Sequence, residues 1–206
     1  NSITIPAQST SASITFTIID DNISDVDETI IISISSLTGQ NVSIGTSSAT
    51  LTITDDETVP SISLSGSAST IAENSGSNIT LTATSTIISS SNIVVSLASS
   101  GTATSGSDYG AISSITIPAG STTATATFTP TDDSFYDGGN ETAIFDISSI
   151  SGGSATENGT QQVTITITDN ESAPTVTLTT GTNSIAENTS GTTSVTATLT
   201  GFFIMT

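Results

Sequence analysis

No lysine, arginine or histidine occurs anywhere in the 206 residues, so nineteen aspartates and glutamates face no side-chain cation and the formal charge is −19. A chain of that charge has nothing with which to hold phosphate backbones or anionic lipid headgroups, which excludes nucleic acid and membrane surfaces as partners. Cysteine is absent too, so no disulfide can staple the fold, and neither thiolate nor imidazole is on offer to a softer metal. Aromatics make up only 4% of the chain, which leaves no stacking platform for sugars and few large side chains for a core. No stretch is long and apolar enough to span a bilayer, and no signal peptide opens the chain. The missing basic residues also remove every trypsin site, which fits an extracellular or cell-surface setting.

What remains is rich in Ser, Thr and Gly, with an apolar third. Disorder is the first reading of such a composition, but the apolar residues alternate strictly, as half-buried strands require. Thr122–Thr129 sets Ala124, Ala126 and Phe128 on one face and threonines on the other. Asn78–Thr84 and Gln162–Thr168 do the same, and further strands are expected at Ser61–Ser65, Ile93–Ser99, Ser114–Ile117 and Thr142–Ser149. Seven short strands with Gly, Ser and Asn turns make an all-β, immunoglobulin-like sandwich. No helical period competes with it.

The chain is also a repeat. Asn1–Thr10 (NSITIPAQST) matches Ser113–Thr122 (SSITIPAGST) at a shift of 112 residues. Glu28 matches Glu141 at 113, and Asp55 matches Asp169 at 114. Ile71–Asn74 recurs as Ile185–Asn188, also at 114. Two single-residue insertions explain the drift. Residues 60–173 then form one complete unit, 1–59 the second half of a preceding unit and 174–206 the opening of another. The first half repeats the alternation through Ala12, Ile14, Phe16 and Ile18, then Ile30, Ile32 and Ile34. Thr58-Val59-Pro60 and Ser172-Ala173-Pro174 are too short and stiff for free tumbling, so the array is expected to behave as a jointed rod. By register the chain reads as a segment of a longer array, and Gly201–Thr206 departs from its Ser/Thr-rich style.

The acids are not scattered as solubility alone would scatter them. Asp20, Asp21, Asp25, Asp27 and Glu28 crowd one loop, and Asp132, Asp133, Asp137 and Glu141 the matching one. Asp55, Asp56 and Glu57 close one unit, and Asp169 and Glu171 the next. Glu73 and Glu187 follow the first strand of their units, and Asp108 sits in Ser-Gly-Ser-Asp-Tyr-Gly. Two like charges about 4 Å apart repel by roughly 4 kcal/mol at an effective dielectric near 20. Crowding of this kind calls for a divalent cation, and hard oxygen ligands alone point to Ca2+.

Ile18-Ile19-Asp20-Asp21-Asn22-Ile23-Ser24-Asp25-Val26-Asp27-Glu28 resembles the acidic loop of Calx-beta domains, calcium-binding sandwiches of sodium–calcium exchangers and of tandem arrays in bacterial surface proteins. Gly101–Tyr109 and Ile53-Thr54-Asp55-Asp56-Glu57 are similar to two further motifs of that family, in the family order. The resemblance implies a full site in the central unit from Glu73, Asp108, Asp132, Asp133, the Phe135 carbonyl, Asp137 and Asp169, with Glu171 as a further candidate. In the first half-unit it implies Asp20, Asp21, the Ile23 carbonyl, Asp25, Asp55, Asp56 and Glu57, and it extends to Glu187 in the last. Asn170 stands where the pattern has an acid, which lowers the charge there.

The reading is a non-catalytic, calcium-rigidified repeat of an extracellular stalk, adhesin or surface filament. Its partners would be neighbouring repeats or copies of itself, with a surface or glycan ligand bound elsewhere in the full protein. The alternative is a calcium sensor that changes shape to regulate a partner. Hydrolysis of glycosides by an Asp/Glu pair is the only catalysis this composition permits, and nearly every acid already has a place in a metal loop.

Overall fold

The computed structural model describes residues 2–39, 41–182, 184, 186–187, 190 and 192–201. The first segment contributes β1 (Ile23–Ser24), β2 (Glu28–Ser33) and β3 (Ser48–Ile53). The central unit contributes β4 (Ser61–Gly66), β5 (Thr70–Ala72), β6 (Ile79–Ser85), β7 (Ile88–Ser89), β8 (Ile93–Gly101), β9 (Ser114–Ile117), β10 (Thr123–Phe128), β11 (Glu141–Ser151), β12 (Thr156–Glu157) and β13 (Gln162–Thr168). The chain continues through β14 (Thr175–Thr180) and β15 (Val195–Thr200). Among the described residues the one helical element is a single 3-10 turn at Glu73–Ser75, and no helix is long and apolar enough to cross a membrane.

Two sheets make the central sandwich, one ordered β10-β6-β4-β12 and the other β5-β13-β11-β8-β9. All seven expected strands are present within a residue or two. The short β5 and β12 add parallel edges to β13 and β4. Alternation does the sorting: along β6 the pattern is buried at Ile79, Leu81, Ala83 and Ser85 and half-buried at the threonines between. Facing them, β8 buries Ile93, Val95 and Leu97, and β13 buries Val163, Ile165 and Ile167. With so few large residues, three aromatics anchor the middle. Tyr109 stacks on Phe128 with ring centroids 5.1 Å apart, and Phe145 meets both edge-on. Offset and edge-on pairs of this kind contribute about 1 kcal/mol each beyond the area they bury.

The two flanking segments show the same strands without the second sheet. β2 and β3 pair as a hairpin, Glu28 opposite Ile53 and Ile30 opposite Leu51, in the register by which β11 meets β13. Yet Ile31, Ile32 and Leu51 are exposed. Residues 11–18, where alternation predicts a strand, form none. Their central counterpart, β10, is held along its whole length by β6, and among the described residues no strand pairs with residues 11–18. Alternation states which face a strand would bury, but the backbone hydrogen bonds come from a neighbour. β14 and β15 likewise pair as β4 and β6 do, with Val176 opposite Leu199 as Ile62 is opposite Ser85.

Candidate metal centre

Strand register gathers the acids of the central unit. Glu141 opens β11 opposite Ile167, near the end of β13, whose last residue Thr168 lies beside Ala72, the last of β5. Gly101 closes β8 opposite Ala143. It sits at φ 110°, and a Cβ there would lie 2.1 Å from the Thr142 carbonyl oxygen, so only glycine lets β8 end so close to β11. The segments leaving those ends carry Glu73, Asp108 and Asp169–Glu171, and the loop entering β11 carries Asp137. They emerge side by side.

Two clusters result. Glu73, Asp169 and Glu171 each present an oxygen within 4.8 Å of the others, and so do Asp108, Asp137 and Glu141. The Asp137 N–H donates to Asp169 Oδ2 at 3.1 Å, which ties the two together. Backbone donors shape the rest: Glu171 N–H to Asp169 Oδ1 at 2.8 Å, Asn170 N–H to Glu73 Oε1 at 3.2 Å, and Thr104 N–H to Asp108 Oδ2 at 2.6 Å. Thr131 N–H donates to the Asp108 carbonyl, binding that loop to the one before β11.

Crowding changes the acids themselves. Burial, offset in part by the Asn170 N–H and reinforced by Glu171 and Asp169, pushes Glu73 up to about 7. Burial followed by the charge of Asp108 pushes Glu141 up to about 7 as well. Asp137 is raised by burial, then by Asp133, Asp108, Asp169 and Glu171. Glu171 Oε2 is buried with no hydrogen-bond partner. A buried acceptor oxygen without a hydrogen-bond partner, inside a three-acid cluster, fits a bound cation and is costly otherwise. Three carboxylates per cluster, with no softer donor in the chain, are of the hard oxygen type that calcium takes.

The first segment builds one cluster, from Asp20, Asp56 and Glu57. A side-chain hydrogen bond with Asp55, then burial and the charges of Asp56 and Asp55, raise Glu57. Asp25 N–H donates to Asp55 Oδ2 at 3.3 Å, and Asp55 N–H to Asp27 Oδ1 at 3.1 Å. Of the remaining expected ligands, Asp21 and Asp133 each accept the N–H two residues on, from Ile23 and Phe135, and so turn the loop. Asp132 lies in neither central cluster, and Glu187 is exposed in a turn outside all three. Glu141 was not among the expected ligands, although it follows the acidic loop directly. Its position opening β11, where inward and outward residues alternate, is the signal that points it to the cluster.

A family model described as the Calx-beta domain matches residues 2–57 and again residues 55–171. The chain belongs to the Calx-beta family. Calx-beta domains are calcium-binding β-sandwiches, and each matched span here carries one acidic loop. Two solved structures are similar to about half of the chain. The apo form of the Calx CBD1 domain is 20% identical with a TM-score of 0.44, over 53% of this chain and 98% of that one. CBD12 from CALX1.2 is 20% identical with a TM-score of 0.45, over 53% of this chain and 44% of that one. No curated protein sequence matches.

Proposed function

We infer that this Calx-beta chain is a non-catalytic structural array whose loop ends are held by calcium, a segment of an extracellular stalk, adhesin or surface filament. Its units are residues 60–173, complete, flanked by 1–59 and 174–206 as parts of adjoining repeats. The observation that carries the reading is the buried, unpartnered oxygen of Glu171 inside a three-acid cluster, in a chain without one basic side chain. A cation there would take its ligands from Glu73, Asp169 and Glu171, and a second from Asp108, Asp137 and Glu141. Each would bridge segments remote in sequence, from the ends of β5, β8 and β13 and the start of β11. The ion thus joins loops that otherwise repel. With linkers of three residues between units, ordering the tips also orders the joints. The partners implied are neighbouring repeats and, in a filament, other copies of the chain.

The test is calorimetric titration of calcium into chelator-treated protein. Binding in the range of about 10⁻⁴–10⁻³ M supports an extracellular structural module, whereas about 10⁻⁷–10⁻⁵ M would place the chain among calcium sensors. No binding heat up to millimolar calcium would overturn both.

A further inference from the structure

The two flanking segments are matching halves. In the central unit the β4–β6 hairpin covers β11–β13 and pairs with β10. The first segment carries counterparts of β10, β11 and β13 without the hairpin, and β14–β15 is the hairpin without the rest. Each half shows the face that the central unit buries. Ile32 and Leu51 are exposed on β2–β3, and Ile14, Phe16 and Ile18 in the stretch before them. On β14–β15, Val176, Leu178 and Val195 are exposed where β4 and β6 bury Ile62, Leu64 and Leu81.

The backbone edges are open in the same way. β6 lies between β4 and β10. β15 reproduces β6, down to Gly181 N–H meeting the Ser194 carbonyl as Ser67 N–H meets that of Thr80, but among the described residues it pairs with β14 alone. Residues 11–16 correspond to β10. Moving the β10–β6 ladder to these positions sets Ala12 opposite Ala197, Ser13 opposite Thr196 and Ile14 opposite Val195, with apolar residues on one face and hydroxyls on the other. Residues 2–19, 175–182 and 192–200 contain no acid, so these surfaces meet without like charges although the chain carries −19.

The halves are attached at opposite ends of the central sandwich. β1 pairs in parallel with β7, Ile23 beside Ile88 and Ser24 beside Ser89, just before β8 begins. The chain leaves for β14 from the other end, where Ala143 of β11 lies between Gly101, the last residue of β8, and Ile165 of β13. A strand of the length of β8 spans about 30 Å. The occupant that fits is a second copy of the chain.

We propose that β14–β15 of one copy docks on residues 11–16 and the β2–β3 face of another, with β15 and residues 11–16 paired as β6 and β10 are. An adjoining repeat is then assembled from two copies, head to tail, in the kind of contact that extends into a filament or closes into a ring. Main-chain hydrogen bonds along the added strand supply affinity, and the alternating side chains fix the register. The proposal deepens the filament reading and rests on it for the second copy, but uses no acid of the clusters. Neither half contains a counterpart of β8, so the joint is expected to form reversibly and to loosen on dilution.

The chain has no cysteine, so introduced ones report the approach of two copies. In the proposed register Ser13 and Thr196 lie about 4.8 Å apart, within the span of about 4.4–6.8 Å over which a disulfide closes. Thr179, opposite Thr196 on β14, lies one strand further, about 10 Å from Ser13. The full chain with Ser13→Cys is mixed at high concentration with the Thr196→Cys or the Thr179→Cys chain, oxidised and read by intact mass. The first mixture is expected to give the mixed dimer and the second to stay monomeric. The Ser13→Cys/Thr196→Cys double variant is expected to give a ladder of oligomers. Adding Ile14→Asp to Ser13→Cys is expected to abolish the dimer while the central unit keeps its melting temperature. Equal dimer in both mixtures, none in the first, or a dimer that survives Ile14→Asp would overturn the docking. A cyclised monomer of the double variant would overturn the second copy as occupant, because the pairing would lie within one chain. Calcium titration of the unmodified chain reads the metal centre separately, so the two ideas fail by different measurements.

Discussion

In residues 20–28 and 132–141 the same local hydrogen bonds recur, yet the acids are shared out differently. Asp20, Asp56 and Glu57 converge in the first segment. Their counterparts by register are Asp132, Asn170 and Glu171, and there Asp132 stays outside while Glu171 joins Glu73 and Asp169. One substitution contributes to the switch: the Asn170 side chain donates through Nδ2 to Glu171 at 2.8 Å where the Asp56 carboxylate can only accept. The central unit also has Glu73 and Asp108, delivered by strands the first segment lacks. Loop shape is thus a local property of the Asp turns, whereas the composition of each cluster is decided by neighbours brought in by the sheets.

The contrast between a closed sandwich and a lone hairpin can be broken most forcefully in the core. Phe128 is fully buried, and its register counterpart Phe16 is 47% exposed. Phe128→Ala is expected to destabilise the central unit by about 3–5 kcal/mol. Phe16→Ala is expected to change stability by less than about 0.5 kcal/mol. Chemical denaturation of the two variants checks this, and equal losses would mean the first segment has a core of its own.

Next in size is the loss of a cluster acid. Glu73→Gln and Glu141→Gln are each expected to weaken calcium binding by about tenfold or more, since affinity follows the count of charged ligands. Without calcium, the same variants are expected to be more stable than the parent at pH 8, because each removes a charge from a crowded, partly buried site. Asp56→Asn should affect only the binding of the first segment. Titration calorimetry of the three variants separates the sites.

A finer change sharpens the comparison of the two loops. Asn170→Asp restores the acid found at Asp56, so it is expected to draw Asp132 into a further site. Calcium uptake should rise and calcium-free stability should fall, by about 1 kcal/mol as for one unfavourable charge near a surface. Unchanged stoichiometry would show that the asparagine is not what separates the two arrangements.

A further effect is on pH dependence. Glu73 and Glu141 stand near 7 in the folded chain against 4.5 for an ordinary glutamate. Between those values the folded, calcium-free chain holds protons that the unfolded chain has lost, so its stability falls as pH rises through about 4.5 to 7. Calcium must displace the same protons, so its affinity is expected to rise over that window. Melting curves in chelator at pH 5 and pH 8 test the first half, and a higher melting temperature at pH 8 would count against it.

Much of the sandwich was legible in advance because a period of two in residues such as Val163, Ile165 and Ile167 states both the element and its buried face. The repeat shift relates β2–β3 to β11–β13 and β14–β15 to β4–β6, and the structure shows the same registers in each. Residues 11–18 carried the identical pattern and form no strand, because alternation is written in one segment while pairing needs two. Glu141 escaped the list of ligands because its role comes from opening β11 opposite Ile167, a fact of sheet geometry. The family resemblance implies Asp21 and Asp133 as ligands, and one carboxylate oxygen of each accepts the loop's own N–H. The β1–β7 pairing left no trace in composition at all, since Ile23, Ser24, Ile88 and Ser89 are ordinary residues for loops of this chain.

The central claim is that cations hold these acidic tips in place, and thermal unfolding of the full chain tests it most directly. One site filled at a hundred times its dissociation constant adds about 2.7 kcal/mol. For a sandwich of this size each kcal/mol moves the melting temperature by about 4 °C. Calcium is therefore expected to raise the transition of the central unit by roughly 10 °C or more over the same protein in EDTA. Superimposable melting curves in the two buffers would contradict the account.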